Sequence, residues 1–174
     1  MPIIRCTSRL LAEIDDSPMV DSAAIASSPI RDWYGNIFAV ERRKCILFIN
    51  EPTLFVCLAI GVTKSDYRQI VPCFLNLLER TLRQEGFNED EIAWVLGLHK
   101  NMAVDRTQDR STIASLSNRV SNAKCIIQWD GGLGNCDVAA LTHLLNNTPM
   151  KPIRYSNGLE QMKRLVDQKL FVKG

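Results

Sequence analysis

The chain is poor in the residues that usually mark a catalytic or metal centre. Its histidines are His99 and His143, two in 174 residues, and neither stands near a cysteine pair. A zinc site is therefore not expected. No two of the six cysteines are spaced C-x-x-C, and Cys45, Cys57 and Cys73 fall inside apolar runs. They read as buried free thiols of a reducing compartment, which predicts a cytoplasmic protein. Neither histidine has a serine or cysteine beside it in a nucleophile elbow. The glycine stretch Gly131-Gly132-Leu133-Gly134 lacks the G-K-[ST] ending of a phosphate loop and reads as a turn before the helix cap Asp137. The acidic pair Asp15-Asp16 lies in a loop, and Glu89-Asp90-Glu91 is accounted for as a helix start. No catalytic residue, metal or cofactor is expected. Charge of one sign is lacking too: 21 basic against 19 acidic side chains leave a net +2, so composition carries no nucleic-acid footprint. There is no long hydrophobic run. MPIIRCTSRLLAEI at the N-terminus carries Arg5 and Arg9 among its apolar residues and no small-residue cleavage site, which excludes a signal peptide or membrane span on sequence grounds.

What is present is an ordinary globular pattern, with 46% hydrophobic and 23% charged residues. Residues 2–5 read as a short strand and Ser8 to Ile14 as a short helix. Asp15 to Pro29 is small, polar and proline-bounded, the composition of a flexible loop. WYGNIFAV from Trp33 and KCILFIN from Lys44 form a strand pair joined through Arg42 and Arg43, and Thr53 to Val62 is a third strand-like run. Together they predict an antiparallel meander covered on both faces.

Downstream, helical periodicity takes over. Ile70, Val71, Phe74, Leu75, Leu78 and Leu82 form one apolar stripe, capped by Ser65 or Asp66, with Pro72 tolerable only in a first turn. Asn88-Glu89-Asp90-Glu91 is a capping box. Residues 101–106 suit another strand, and further helices are expected from Ser111 to Asn122, after Asp137, and from Leu159 to Leu170. The prediction is a single α+β domain over 1–174, with a small antiparallel sheet near the N-terminus packed with about four to five helices around one core.

The candidate binding residues are Trp33, Tyr34, Asn36, Arg42, Arg43, Lys44, Arg110 and Ser111. Arginines fork onto phosphate or carboxylate, and an aromatic face stacks a base. On an extended strand Arg42 and Lys44 would share one face and Arg43 take the other. Arg110 and Ser111 sit at a helix start, where backbone N–H groups favour anions, though Asp109 is placed to fill that position itself. The bland alternative at each place is a solvated rim with its aliphatic stems packed on the sheet.

Several of these residues recur in a resemblance. Trp33-Tyr34-x-Asn36-x-Phe38, then Arg42-Arg43-Lys44-Cys45-x-Leu47-Phe48-x-Asn50-x-x-Thr53-Leu54, resembles an uncharacterised prokaryotic family known only as a domain of unknown function. The opening Ile3-Ile4-Arg5-Cys6-Thr7, the Arg110-Ser111…Ser115…Asn118 segment, and Leu145-Asn146-x-Thr148-Pro149-Met150 with Tyr155 extend the likeness over nearly the whole chain. Ala114 stands where the family usually has glycine, and Pro72 departs from the pattern. The resemblance implies a small bacterial protein often associated with mobile DNA, without an established activity.

The expectation is thus a non-catalytic binding or regulatory protein whose partner, protein or nucleic acid, is open. An enzyme acting on a phosphoester or nucleotide, with Arg43 and Arg110 as anion clamps, is the alternative. A self-associating accessory protein, a homodimer, is another.

Overall fold

The computed structural model describes residues 1–18 and 28–171. Part of the predicted 15–29 loop, residues 19–27, lies outside the described residues. The stretch entering it is tied down: Asp15 pairs with Arg68, and Asp16 accepts a hydrogen bond from the Ile70 backbone N–H.

Strand β1 (Ile3–Cys6) leads into a one-turn helix α1 (Ser8–Leu11), capped by Thr7. Strands β2 (Trp33–Val40), β3 (Arg43–Asn50) and β4 (Val56–Val62) form the expected meander. Helix α2 (Lys64–Tyr67) precedes α3 (Ile70–Gln84), then come α4 (Glu89–Leu98) and strand β5 (Ala103–Arg106). The chain closes with α5 (Arg110–Trp129), α6 (Val138–Asn147) and α7 (Gly158–Phe171). The strands form one five-stranded sheet in the order β4-β3-β2-β1-β5. The meander is antiparallel, but β1 runs parallel to both β2 and β5, so the sheet is mixed.

The local signals explain most boundaries. Pro72 sits in the first turn of α3, where its missing N–H costs nothing. Asn88 and Glu91 close the capping box of α4 reciprocally, and the helix runs through Gly97 to Leu98. Neither Ser65 nor Asp66 caps α3. They belong to α2, whose own start is closed by Thr63 with Asp66. Helix α5 is longer than its polar pattern suggested, because Ala123 and Ile127 continue its buried stripe past Asn122.

The expected single core is instead a pair of cores, one on each face of the sheet. On one face Trp33, Phe48, Phe55 and Phe74 pack with α3, α4 and α7. On the other, Tyr34, Phe38, Leu47 and Val56 pack with α5 and α6. Even and odd residues of β3 serve opposite cores, which is why the strand is apolar without a break from Cys45 to Ile49.

Candidate functional site

The hairpin of β2 and β3 turns tightly. Val40 pairs with Arg43, leaving Glu41 and Arg42 as a two-residue loop. Both have positive φ, 50° and 63°, as a type I′ turn requires, although neither is the usual Asn or Gly. The four residues then part company. The Glu41 carboxylate accepts from the Leu133 backbone N–H at 3.1 Å. Lys44 pairs with Glu13 at 2.6 Å and lies 5.4 Å from the centre of the Tyr67 ring. The hydrogen bond to Glu13, then that to Tyr67, raises the Lys44 pKa. Arg42 and Arg43 are exposed at the tip and make no ion pair among the described residues. The Arg43 guanidinium passes over Gly61, where an added Cβ would stand 3.5 Å from its central carbon. Beside the tip, a hollow of about 450 Å³ lies between the hairpin and the end of α5, with Lys124 on its wall.

The aromatic residues do not join the cations. Trp33 is wholly buried, and its indole N–H donates to His99 Nε2 at 2.9 Å. His99 Nδ1 in turn donates to the Val95 carbonyl at 2.7 Å, so the ring is held neutral with its proton on Nδ1. Burial lowers the His99 pKa. Tyr34 is buried as well, and its hydroxyl accepts from the Asp109 backbone N–H at 3.1 Å. In this structure neither ring offers a face to a base. Asn36 accepts from the Thr7 hydroxyl at 2.8 Å, which joins β2 to the end of β1.

At the start of α5, Arg110 and Ser111 are exposed. Asp109 caps the helix through the Thr112 N–H and hydroxyl, at 2.6 and 2.7 Å, and those bonds lower its pKa. The place an anion would take there holds the protein's own carboxylate. Tyr34 anchors this end, whereas the hairpin tip lies beyond Val40. Six strand steps put Arg110 and Arg43 on the order of 20 Å apart. The hollow beside the hairpin tip is lined by neither arginine.

A second concavity lies elsewhere. A cleft of about 670 Å³ runs along the open edge of β4, walled by α2, α3 and the start of α6. At the end of this edge the Asn146 amide takes the place of a neighbouring strand. It accepts from Val56 N–H at 2.7 Å and donates to Val56 C=O at 3.0 Å. Its second N–H donates to Glu85 at 3.1 Å, and the buried Glu85 also holds His143 Nδ1 at 2.7 Å. Arg80 of α3 lines this cleft, exposed and without an ion pair among the described residues. Neither Asn146 nor Arg80 was singled out as a functional residue from sequence. An amide in an apolar helical stripe could have flagged the first; nothing local flags the second.

Other polar groups in the interior are structural. Arg5 bridges Asp32 at 2.7 Å and Asp105 at 3.3 Å, tying β1 to β5 and to the entry of β2. Arg119 is fully buried; its Nη2 donates to Thr148 C=O at 3.1 Å, while Nε and Nη1 meet no acceptor among the described residues. Burial alone depresses its pKa to about 10. Among the described residues no group of three or more His, Cys, Asp or Glu could hold a metal ion, and no helix is long and apolar enough to cross a membrane.

Fold and surface together define an α+β domain with a mixed sheet between two helical layers, an open sheet edge and an unpaired cationic tip. The chain belongs to the family described as Domain of unknown function (DUF6933), which matches residues 3–161. No curated protein matches it.

Proposed function

We propose that the protein is a non-catalytic binding or regulatory protein that contacts an anionic macromolecule through the hairpin tip. The observation behind this reading is the division of labour within Glu41–Lys44. Glu41 and Lys44 are engaged within the protein, while Arg42 and Arg43 are exposed at the tip and make no ion pair among the described residues. A guanidinium held on a short, defined turn loses less freedom on gripping phosphate than one on a loose loop. The association with mobile DNA implied by the resemblance makes nucleic acid the first ligand to try. The cytoplasm is the compartment this reading requires, and six free cysteines suit it.

The test is the absorbance ratio and native mass of the purified protein, followed by titration with a labelled DNA duplex at several salt concentrations. Arg42→Glu/Arg43→Glu should remove co-purifying nucleic acid and lower the salt slope by about 2, one for each lost phosphate contact. Clean protein and a variant that titrates like the parent would refute the reading. Light scattering over a range of concentrations tests the homodimer, in which two tips would merge into one larger surface; a monomer throughout would remove that addition.

A further inference from the structure

We propose that Glu41 and Gly132 form a latch that sets the direction of Arg42 and Arg43, with Glu41 as the positioning residue of the contact surface. This rests on the hairpin tip being that surface, and adds what holds the tip in its binding form.

Neither packing nor turn chemistry holds it. Strand β1 stops opposite Gly35, so from there to the turn β2 is paired with β3 alone. Beyond Phe38 on β2 and Cys45 on β3 the ribbon leaves the core: Ala39, Glu41, Arg42 and Arg43 are exposed, and Val40 and Lys44 are partly buried. The hollow of about 450 Å³ separates this end from α5, with Val40 and Glu41 on one side and Ile127, Gly131 and Gly132 on the other. Close packing therefore does not brace the turn there. The turn residues do not brace it either, because Glu41 and Arg42 both take positive φ, which a side chain other than Gly, Asn or Asp adopts at a cost. A two-stranded ribbon of this kind is marginal unless something outside it ties it down.

The tie is Glu41. Its carboxylate crosses to the loop after α5, 92 positions along the chain, and accepts from the Leu133 N–H at 3.1 Å. Among the described residues this is the one side-chain hydrogen bond made by either turn residue. The loop is shaped to receive it. Gly132 sits at φ 103° and ψ 178°, a region open essentially to glycine alone. A Cβ built there would overlap the Glu41 carboxylate oxygen. The glycine stretch that reads from sequence as a turn before Asp137 thus has a second use, as the seat of a carboxylate from a distant hairpin. A tethered turn presents its arginines on a fixed backbone, so less freedom is lost when they grip phosphate. A carboxylate at such a place otherwise repels the ligand. The bond to Leu133 accounts for its presence.

Two substitutions of equal charge separate the latch from simple electrostatics. Glu41→Gln and Glu41→Ala each remove one negative charge, but only the glutamine keeps an oxygen that can accept from Leu133. Titrated with the labelled DNA duplex, Glu41→Gln should bind at least as tightly as the parent. Glu41→Ala should bind about three- to tenfold more weakly than Glu41→Gln, at an unchanged salt slope because no phosphate contact is removed. Gly132→Ala should weaken the parent likewise and add little in the Glu41→Ala background, where the bond is already gone. Without DNA, the Leu133 amide should exchange faster in Glu41→Ala than in Glu41→Gln. Equal affinity of the two Glu41 variants would overturn the latch while leaving the tip as the contact surface, and so would equal exchange at Leu133. If Arg42→Glu/Arg43→Glu titrates like the parent, the contact surface itself is refuted and the latch loses its role with it. Should Gly132→Ala disturb the loop through its own φ, the two Glu41 variants decide alone.

Discussion

Single side chains hold opposite kinds of buried polarity. His99 is satisfied only when neutral. Its Nε2 accepts from Trp33, so a proton there would face the indole N–H and break the bond. Burial lowers its pKa in the folded protein, whereas the unfolded chain titrates near about 6.5. Below that pH the unfolded state binds the extra proton, so stability is present above about 6.5 and is lost on acidification. The slope reaches at most about 1.4 kcal/mol per pH unit. Urea midpoints measured from pH 7.5 down to 5.5 should fall in the parent and fall less in His99→Asn. Equal slopes would acquit His99. Arg119 is the opposite case, a buried cation with two nitrogens that meet no acceptor among the described residues. Removing an uncompensated buried charge while keeping the aliphatic volume should stabilise the protein, so Arg119→Met should raise the unfolding free energy by about 1–3 kcal/mol. A loss measured by denaturant titration would mean that the guanidinium is satisfied in solution.

The hairpin shows how one element can trade stability for an exposed charge. Left-handed backbone at a non-glycine residue costs about 1 kcal/mol, and Arg42 has a φ of 63°. Arg42→Gly should therefore stabilise the protein by about 1 kcal/mol in thermal or chemical unfolding. The same change removes one cation from the proposed contact surface and should weaken DNA binding. Stability and binding moving in opposite directions would locate the reason for arginine at this turn in the ligand; binding left intact by the change would assign it to neither. The α5 start is an element of a different kind, complete in itself, because Asp109 caps the helix and Tyr34 braces the cap.

At the scale of the whole molecule, the sheet is shared by both cores, and Arg5 binds its parallel side together. Damage on either face should therefore lower a common transition. Phe74→Ala removes a fully buried ring from the core under α3, at about 3–5 kcal/mol. Leu116→Ala opens the core under α5, at about 2–5 kcal/mol. In both variants far-UV dichroism and tryptophan fluorescence should still follow one coincident curve. Two separated transitions would show that the faces melt independently.

What the sequence determined by itself is what short-range physics controls. The capping box at Asn88, the Asp137 cap, the meander of Trp33 to Val62 and the apolar stripes of α3 and α7 were readable because caps, turns and periodicity act within a few residues. The tertiary structure alone decided the rest. Strands β1 and β5 pair in parallel across about a hundred residues of chain, and no local pattern specifies that register. Trp33 and Tyr34, exposed candidates by motif, became core residues because His99 and Asp109 arrive from far along the chain to satisfy their polar atoms. Asn146 reaches Val56 across 90 positions, and Arg80 overlooks a strand edge that exists only once α3, β4 and α6 are assembled. Burial and an open edge belong to the packed whole: the same residue is a ligand site or a core contact according to which distant backbone is laid beside it.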